Sequence, residues 1–266
     1  MSISKNKEKA AQKILCIGGS TLNEGTIEKI KDALIETDFL QEWAVIFVNH
    51  LYFKIEEIQE YKNKIQQEWQ GVNIDFVDQI GNHKININIV YILPDPSSVK
   101  DEEKMVKKEE FRSADCIEQN GQVMLQVLQP QSSLDQLNQW WVKRLNDAGE
   151  NQRPYMPCID KFMQELADVK TNIKNLTIAG LILCGRDGDG ADGLKAIKNE
   201  GGKTAVQNPD ECQGKSRLNI NTNEYPDKTT CSMPYTALDK EPKHQTISIE
   251  GNSNFTSLTD WLKEIF

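Results

Sequence analysis

Short apolar runs separated by amphipathic stretches organise this chain of 266 residues. Ile14-Leu15-Cys16-Ile17, Ala44-Val45-Ile46-Phe47-Val48, Val90-Tyr91-Ile92-Leu93 and the run from Ile178 to Leu183 lack the polar alternation of a half-exposed strand. They predict strands buried on both faces. Between them Ile27, Ile30 and Leu34 recur at helical spacing, as do Ile159, Phe162, Met163, Leu166 and Ala167. A more polar helix is expected from Ile55 to Trp69, with Ile58, Tyr61 and Ile65 on one face. Thr204-Ala205-Val206 and Thr246-Ile247-Ser248-Ile249 predict further strands, and Leu258 to Phe266 a closing helix. Strands alternating with helices imply an α/β fold, a doubly wound and mainly parallel sheet with helices on both faces.

The remaining segments are less regular. Ile74, Phe76 and Val77, then Ile85, Ile87 and Ile89, read as edge strands, and Val123 to Leu128 as a strand, so an added antiparallel hairpin is expected. The mixed-charge run Lys100 to Glu118, with Met105, Val106 and Phe111, is expected to be a solvated helix. Leu134, Leu137, Trp140 and Trp141 start an amphipathic helix whose adjacent tryptophans read as packing residues. Gly201-Gly202 stops a helix, and Asn208 to Lys228 is a polar excursion. No internal repeat is visible.

Charge narrows the partners. Forty acidic residues against 31 basic ones argue against nucleic acid or an anionic membrane. No apolar run approaches the ~20 residues of a spanning helix. Met1 to Lys13 is a lysine-rich tail without the apolar core of a signal peptide. A cytoplasmic location is therefore expected, with no membrane insertion. The six cysteines include no C-x-x-C pair and no histidine at zinc spacing, so no metal and no cofactor is expected. Cys16 and Cys184 fall in apolar strand patterns, where a reduced thiol acts as a small hydrophobe, and free thiols are the expectation.

The loop from Gly185 to Gly193 sits between an apolar strand and a helical pattern, the edge of an α/β sheet where ligands bind. Three readings compete for it. Gly188, Gly190 and Gly193 satisfy G-x-G-x-x-G, with Asp210 at a distance suited to a ribose, although the acid inside the fingerprint opposes a pyrophosphate. Asp187, Asp189 and Asp192 suggest a calcium loop, except that Ala191 stands where a ligand is needed. The plainest reading is a turn whose acids cap the next helix.

Ser20, His50 and Asp189 each follow a predicted buried strand, and in a parallel sheet such positions share one edge. A serine needs a base to become a nucleophile. An imidazole serves near neutral pH, and a buried carboxylate fixes its tautomer and steadies the imidazolium. The order Ser, His, Asp differs from that of α/β-hydrolases, and the serine lacks a G-x-S-x-G elbow. Ser20 could instead cap the helix that begins near Glu24. His83 and His244 are poorer candidates, one in a polar turn and the other in a charged loop.

Ile17-Gly18-Gly19-Ser20-Thr21, Val48-Asn49-His50, Val90 to Pro94, Pro157-Cys158-Ile159-Asp160, Asp189-Gly190-Ala191 with Gly193-Leu194, Gly201-Gly202, Ala205-Val206-Gln207-Asn208 and Met233-Pro234-Tyr235-Thr236-Ala237 follow one another in a meaningful order. That order resembles the catalytic domain of the CheB-type chemotaxis protein-glutamate methylesterases, from Ile14 to the end, with insertions near 100–152 and 210–230. The resemblance implies hydrolysis of glutamyl methyl esters on receptor helices, and glutamine deamidation there. It implies Ser20 as nucleophile, His50 as base and Asp189 as the orienting carboxylate, with Thr21 and Arg186 near the oxyanion. Its implied partner is a methyl-accepting chemotaxis receptor or a related signalling protein.

Several positions depart from the family pattern. Leu22 and Asn23 replace two glycines, Gly185-Arg186-Asp187 replaces Gly-Met-Gly, and Leu51-Tyr52 replaces Met-Pro. Cys158 stands for a serine and Ser232 for a glycine. Only thirteen residues precede the first strand, so the family's phosphoacceptor domain is not expected. The competing function is a binding module that keeps the fold without turnover.

Overall fold

Each continuous apolar run becomes a strand whose residues alternate between two cores. In the computed structural model, which describes residues 9–20, 24–50, 62–63, 65–77, 79–93, 114–127, 158–185, 188–212 and 232–266, β1 spans Lys13–Ser20 and β2 Ala44–His50. Ile14 and Cys16 of β1 pack into one core, Leu15 and Ile17 into the other. Ala44, Ile46 and Val48 of β2 alternate with Val45 and Phe47 in the same way. With both faces covered, no polar position is left inside the strand, which is why the sequence shows a run rather than an alternation.

The main sheet is completed by β3 (Ile74–Phe76), β5 (Val90–Leu93), β8 (Thr177–Ile182), β9 (Lys203–Gln207), β10 (Gln245–Ser248) and β11 (Thr256–Ser257). Its order is β11-β10-β9-β8-β1-β2-β5-β3, and every neighbouring pair is parallel. Helix α1 (Glu24–Glu36) and the last helix, α5 (Leu258–Ile265), cover one face with Trp43, Trp69 and Trp261. Helices α2 (Cys158–Asn172) and α3 (Ala191–Asn199) cover the other, joined by Met233 and Ala237 of α4 (Ser232–Lys240). The doubly wound α/β expectation is met. Ile159, Phe162, Met163, Leu166 and Ala167 are the buried stripe of α2, as their spacing predicted.

The added hairpin is one edge of a separate antiparallel sheet, ordered β4-β7-β6 from Gly81–Lys84, Gln122–Val127 and Ala114–Gln119. Asn120-Gly121 joins β6 to β7 with positive φ at both residues, the turn whose twist matches paired strands. Two expectations are corrected here. The described part of the supposed solvated helix, 114–118, is strand β6, because Cys116 packs into the core and Asp115 meets Lys161 of α2. Ile85, Ile87 and Ile89 do not form a strand. Asn88 turns the chain at φ 65°, and Ala11 and Ile87 exchange single backbone bonds with Ile85 and Lys9. Of the polar helix expected from Ile55 to Trp69, positions 62–63 and 65–68 are helical and the earlier part lies outside the described residues. The amphipathic start at Leu134 to Trp141 also lies outside them.

Candidate active site

The parallel sheet reverses direction at β1. From there the chain goes to β2 and outward on one side, while β8, β9, β10 and β11 run outward on the other. Such a switch point opens a crevice beyond the carboxyl ends of the two central strands, because the following loops diverge to opposite faces. Ser20 is the last residue of β1 and His50 the last of β2, and the two are register partners, the final pair of that ladder. The loop carrying Asp189 leaves β8, the other neighbour of β1. Leu183 extends that pairing by donating its amide to the Gly18 carbonyl at 2.8 Å. Three strand ends named from sequence are thus consecutive along one edge of the sheet.

Asp189 is 1% exposed, and its carboxylate is held by a helix. Oδ2 accepts the amide of Ile159 and Oδ1 the amide of Asp160, both at 3.0 Å. These donors open α2, where free N–H groups and the helix dipole favour a negative charge. This corrects the capping expectation: Asp189 caps α2 and not the helix that follows it, whose N-cap position is the glycine Gly190. In return, Asp160 Oδ1 accepts the Gly193 amide of α3 at 2.8 Å.

The dinucleotide reading of the loop is opposed by what fills it. Gly190 has φ 95°, and a Cβ there would lie 2.4 Å from Ile182 Cδ1 and 2.8 Å from Ile159 Cγ2. A Cβ at Gly193 would lie 2.6 Å from Met163 Cβ and 2.8 Å from the Asp160 carbonyl oxygen. The glycines bring the starts of α2 and α3 together, so the space a pyrophosphate would take is occupied by α2. As for calcium, Asp187 lies outside the described residues, and Asp192 is paired with Lys240.

The base of the loop is fixed from β9. Cys184 is bonded to Cys212, whose Cα lies 5.5 Å away, and the Cys184 amide donates to Gln207 Oε1 at 3.0 Å. This corrects the free-thiol expectation for Cys184: it lies beyond the end of β8 and faces the 3-10 turn Pro209–Cys212. Gln207 donates onward to Glu211 at 3.3 Å, and Glu211 accepts the Ile249 amide at 2.9 Å and the Ser248 hydroxyl. On its far side the loop is tied by the Met233 amide, which donates to the Gly185 carbonyl at 3.1 Å. Cys16 and Cys116 are free and buried, and burial pushes both thiols up, away from nucleophilic use.

Neither other histidine joins this edge. His83 lies in β4, its Nε2 2.6 Å from the Gln79 carbonyl. His244 is not in an open charged loop but 4% exposed, its Nδ1 2.8 Å from the Thr204 hydroxyl, on the amino-terminal side of β10. Thr21, Leu22, Asn23, Leu51, Tyr52, Arg186 and Asp187 lie outside the described residues. The functional contacts not singled out from sequence are those of Ile159, Asp160 and Gln207. An acid in the first turn of a strongly amphipathic helix was the available signal for Asp160.

The sequence matches the CheB methylesterase family over residues 15–217. The chain belongs to that family. The matched span takes in β1 from Leu15 on, β2, β8, the Asp189 loop and β9, so all three strand ends lie within the part shared with these ester hydrolases. Among solved structures, the chain is similar to the CheB methylesterase catalytic domain of Thermotoga maritima. The TM-score is 0.54 at 13% identity, covering 91% of this chain and 93% of that one, a likeness that speaks for the fold. No curated protein matches the sequence. Among the described residues no helix is long and apolar enough to cross a membrane.

Proposed function

We propose that this chain is a serine esterase that hydrolyses glutamyl methyl esters, with Ser20 as nucleophile, His50 as base and Asp189 as the carboxylate that orients the imidazole. The observation that carries this reading is the pairing of Ser20 with His50 as the last rung of the β1–β2 ladder, beside the switch point and next to the Asp189 loop. In this mechanism His50 takes the Ser20 proton as the hydroxyl oxygen attacks the ester carbonyl. The tetrahedral oxyanion collapses, the C–O bond to methoxide breaks, and His50 returns the proton to release methanol. A water, deprotonated by the same imidazole, then hydrolyses the acyl-serine and frees the glutamate. Glutamine deamidation follows the same steps with ammonia as leaving group. Thr21 and Arg186 are proposed beside the oxyanion. The bonds from Ile159 and Asp160 hold the Asp189 carboxylate in place, as a group that orients an imidazole must be held.

The family supports a chemotaxis receptor, or a related signalling protein, as the partner, and the acidic balance argues against nucleic acid. Leu22 and Asn23, in place of family glycines, favour the second reading, a binding module without turnover. A fluorophosphonate probe separates the two. The esterase is labelled, and Ser20→Ala abolishes the label. A folded wild-type protein that takes no label is the binding module.

A further inference from the structure

The starts of α2 and α3 cap each other. Asp189, just before α3, accepts the first amides of α2; Asp160, in the first turn of α2, accepts the Gly193 amide in the first turn of α3. The two carboxylates and two backbone segments close a ring of hydrogen bonds in which the Asp160 amide holds Asp189 Oδ1 while the Asp160 carboxylate holds the backbone three residues past Gly190. Asp160 is fully buried, and the missing Cβ of Gly193 is what lets the second helix approach its backbone. Neither helix start can shift without moving the other's cap.

We propose that Asp160 is a positioning residue: through Gly193 it fixes the α3 start, and with its own amide it sets the direction of the Asp189 carboxylate toward the sheet edge. For its catalytic consequence this rests on the esterase reading. A side chain that only filled space could be replaced by an apolar isostere. A positioning acceptor tolerates Asn, whose amide oxygen still receives the Gly193 amide, but not Ala or Leu.

The test compares Asp160→Asn, Asp160→Ala and Asp160→Leu, the last keeping the volume if Ala does not fold. Two readouts are used, methyl-ester turnover and hydrogen exchange at the Ile159 amide, which reports the bond to Asp189 Oδ2. Loss of the acceptor is expected to lower kcat at least tenfold with KM within twofold. It also shifts the acid limb of the kcat/KM profile to lower pH, because a displaced carboxylate supports the imidazolium less. The Ile159 amide should exchange at least tenfold faster, and Asp160→Asn should restore both. Unchanged Ile159 exchange in a folded Leu or Ala variant overturns the proposal, as does an Asn variant as impaired as Leu. If the wild-type protein takes no fluorophosphonate label, the esterase reading falls, and the exchange comparison still decides whether Asp160 holds Asp189.

Discussion

Gly193 gives its amide to Asp160 at 2.8 Å, and its Cα comes so close that a Cβ would stand 2.8 Å from the Asp160 carbonyl oxygen. Backbone cannot retreat as a flexible side chain can. Gly193→Ala is therefore expected to destabilise the fold by about 3 kcal/mol, the upper range for overpacking. Gly201 is the control: its φ is 79° but nothing lies within 4 Å of an added Cβ. Gly201→Ala should cost only the left-handed backbone penalty, about 1 kcal/mol. Urea unfolding of both variants measures the difference.

Asp189→Asn turns one carboxylate oxygen into an NH2 group that faces an amide N–H of α2. Stability should fall by about 2 kcal/mol, from a lost charged hydrogen bond and a weaker helix cap. Under the esterase reading, turnover should fall further, by roughly 10²- to 10⁴-fold, because the imidazole loses its orienting anion. Denaturant titration and methyl-ester kinetics on one preparation separate the two effects. Turnover equal to wild type would remove Asp189 from the mechanism.

Among the described residues, reduction is expected to weaken the protein through the Cys184–Cys212 bond. Cys184 and Cys212 are 28 residues apart, and opening a loop of that size returns about 3.6 kcal/mol of chain entropy to the unfolded state. Unfolding with and without a dithiol reductant tests this, and Cys212→Ser should make the protein insensitive to the reductant. Cys16 and Cys116, free and buried, should resist alkylation until the chain unfolds, as peptide mass spectrometry would show.

His244 makes acid sensitivity specific. Burial, aided by Lys198 and opposed by Glu241, pushes its imidazole down from 6.5 to about 4. Between these values the unfolded chain binds a proton that the folded chain excludes. This contribution is thus complete above pH 6.5 and is lost as pH falls toward 4. Replacing His244 with Asn, which still offers Thr204 a partner, should flatten the stability profile in that window while leaving its other slopes.

Legibility followed burial. Runs such as Ile14–Ile17 and Ala44–Val48 were readable because both faces of their strands are covered. β6 was hidden, since its charges find partners: Lys161 bridges Asp115 and Glu165 at 2.5 Å each, and Glu165 accepts the Cys116 amide. The contacts of Asp115 and Cys116 reach 46 and 49 residues along the sequence and leave no periodicity behind. The Asn120-Gly121 pair was a local hairpin signal beside Val123 that a charge-run reading passed over. The glycine loop shows the opposite failure, a motif with several local meanings among which only α2, its neighbour in space, discriminates.

By itself the sequence determined the strands buried on both faces, the stripe α2 buries and the edge on which Ser20, His50 and Asp189 fall, since these depend on side-chain polarity at short period. Only the tertiary structure decided that Ser20 and His50 close one ladder, that Asp189 caps α2 rather than α3, and that Cys184 is bonded to Cys212. Those outcomes depend on which groups meet across tens of residues. The amides that close the ladder and receive the Asp189 cap are common to nearly every residue, and no local pattern pairs one cysteine with another, so the sequence does not announce these contacts in advance.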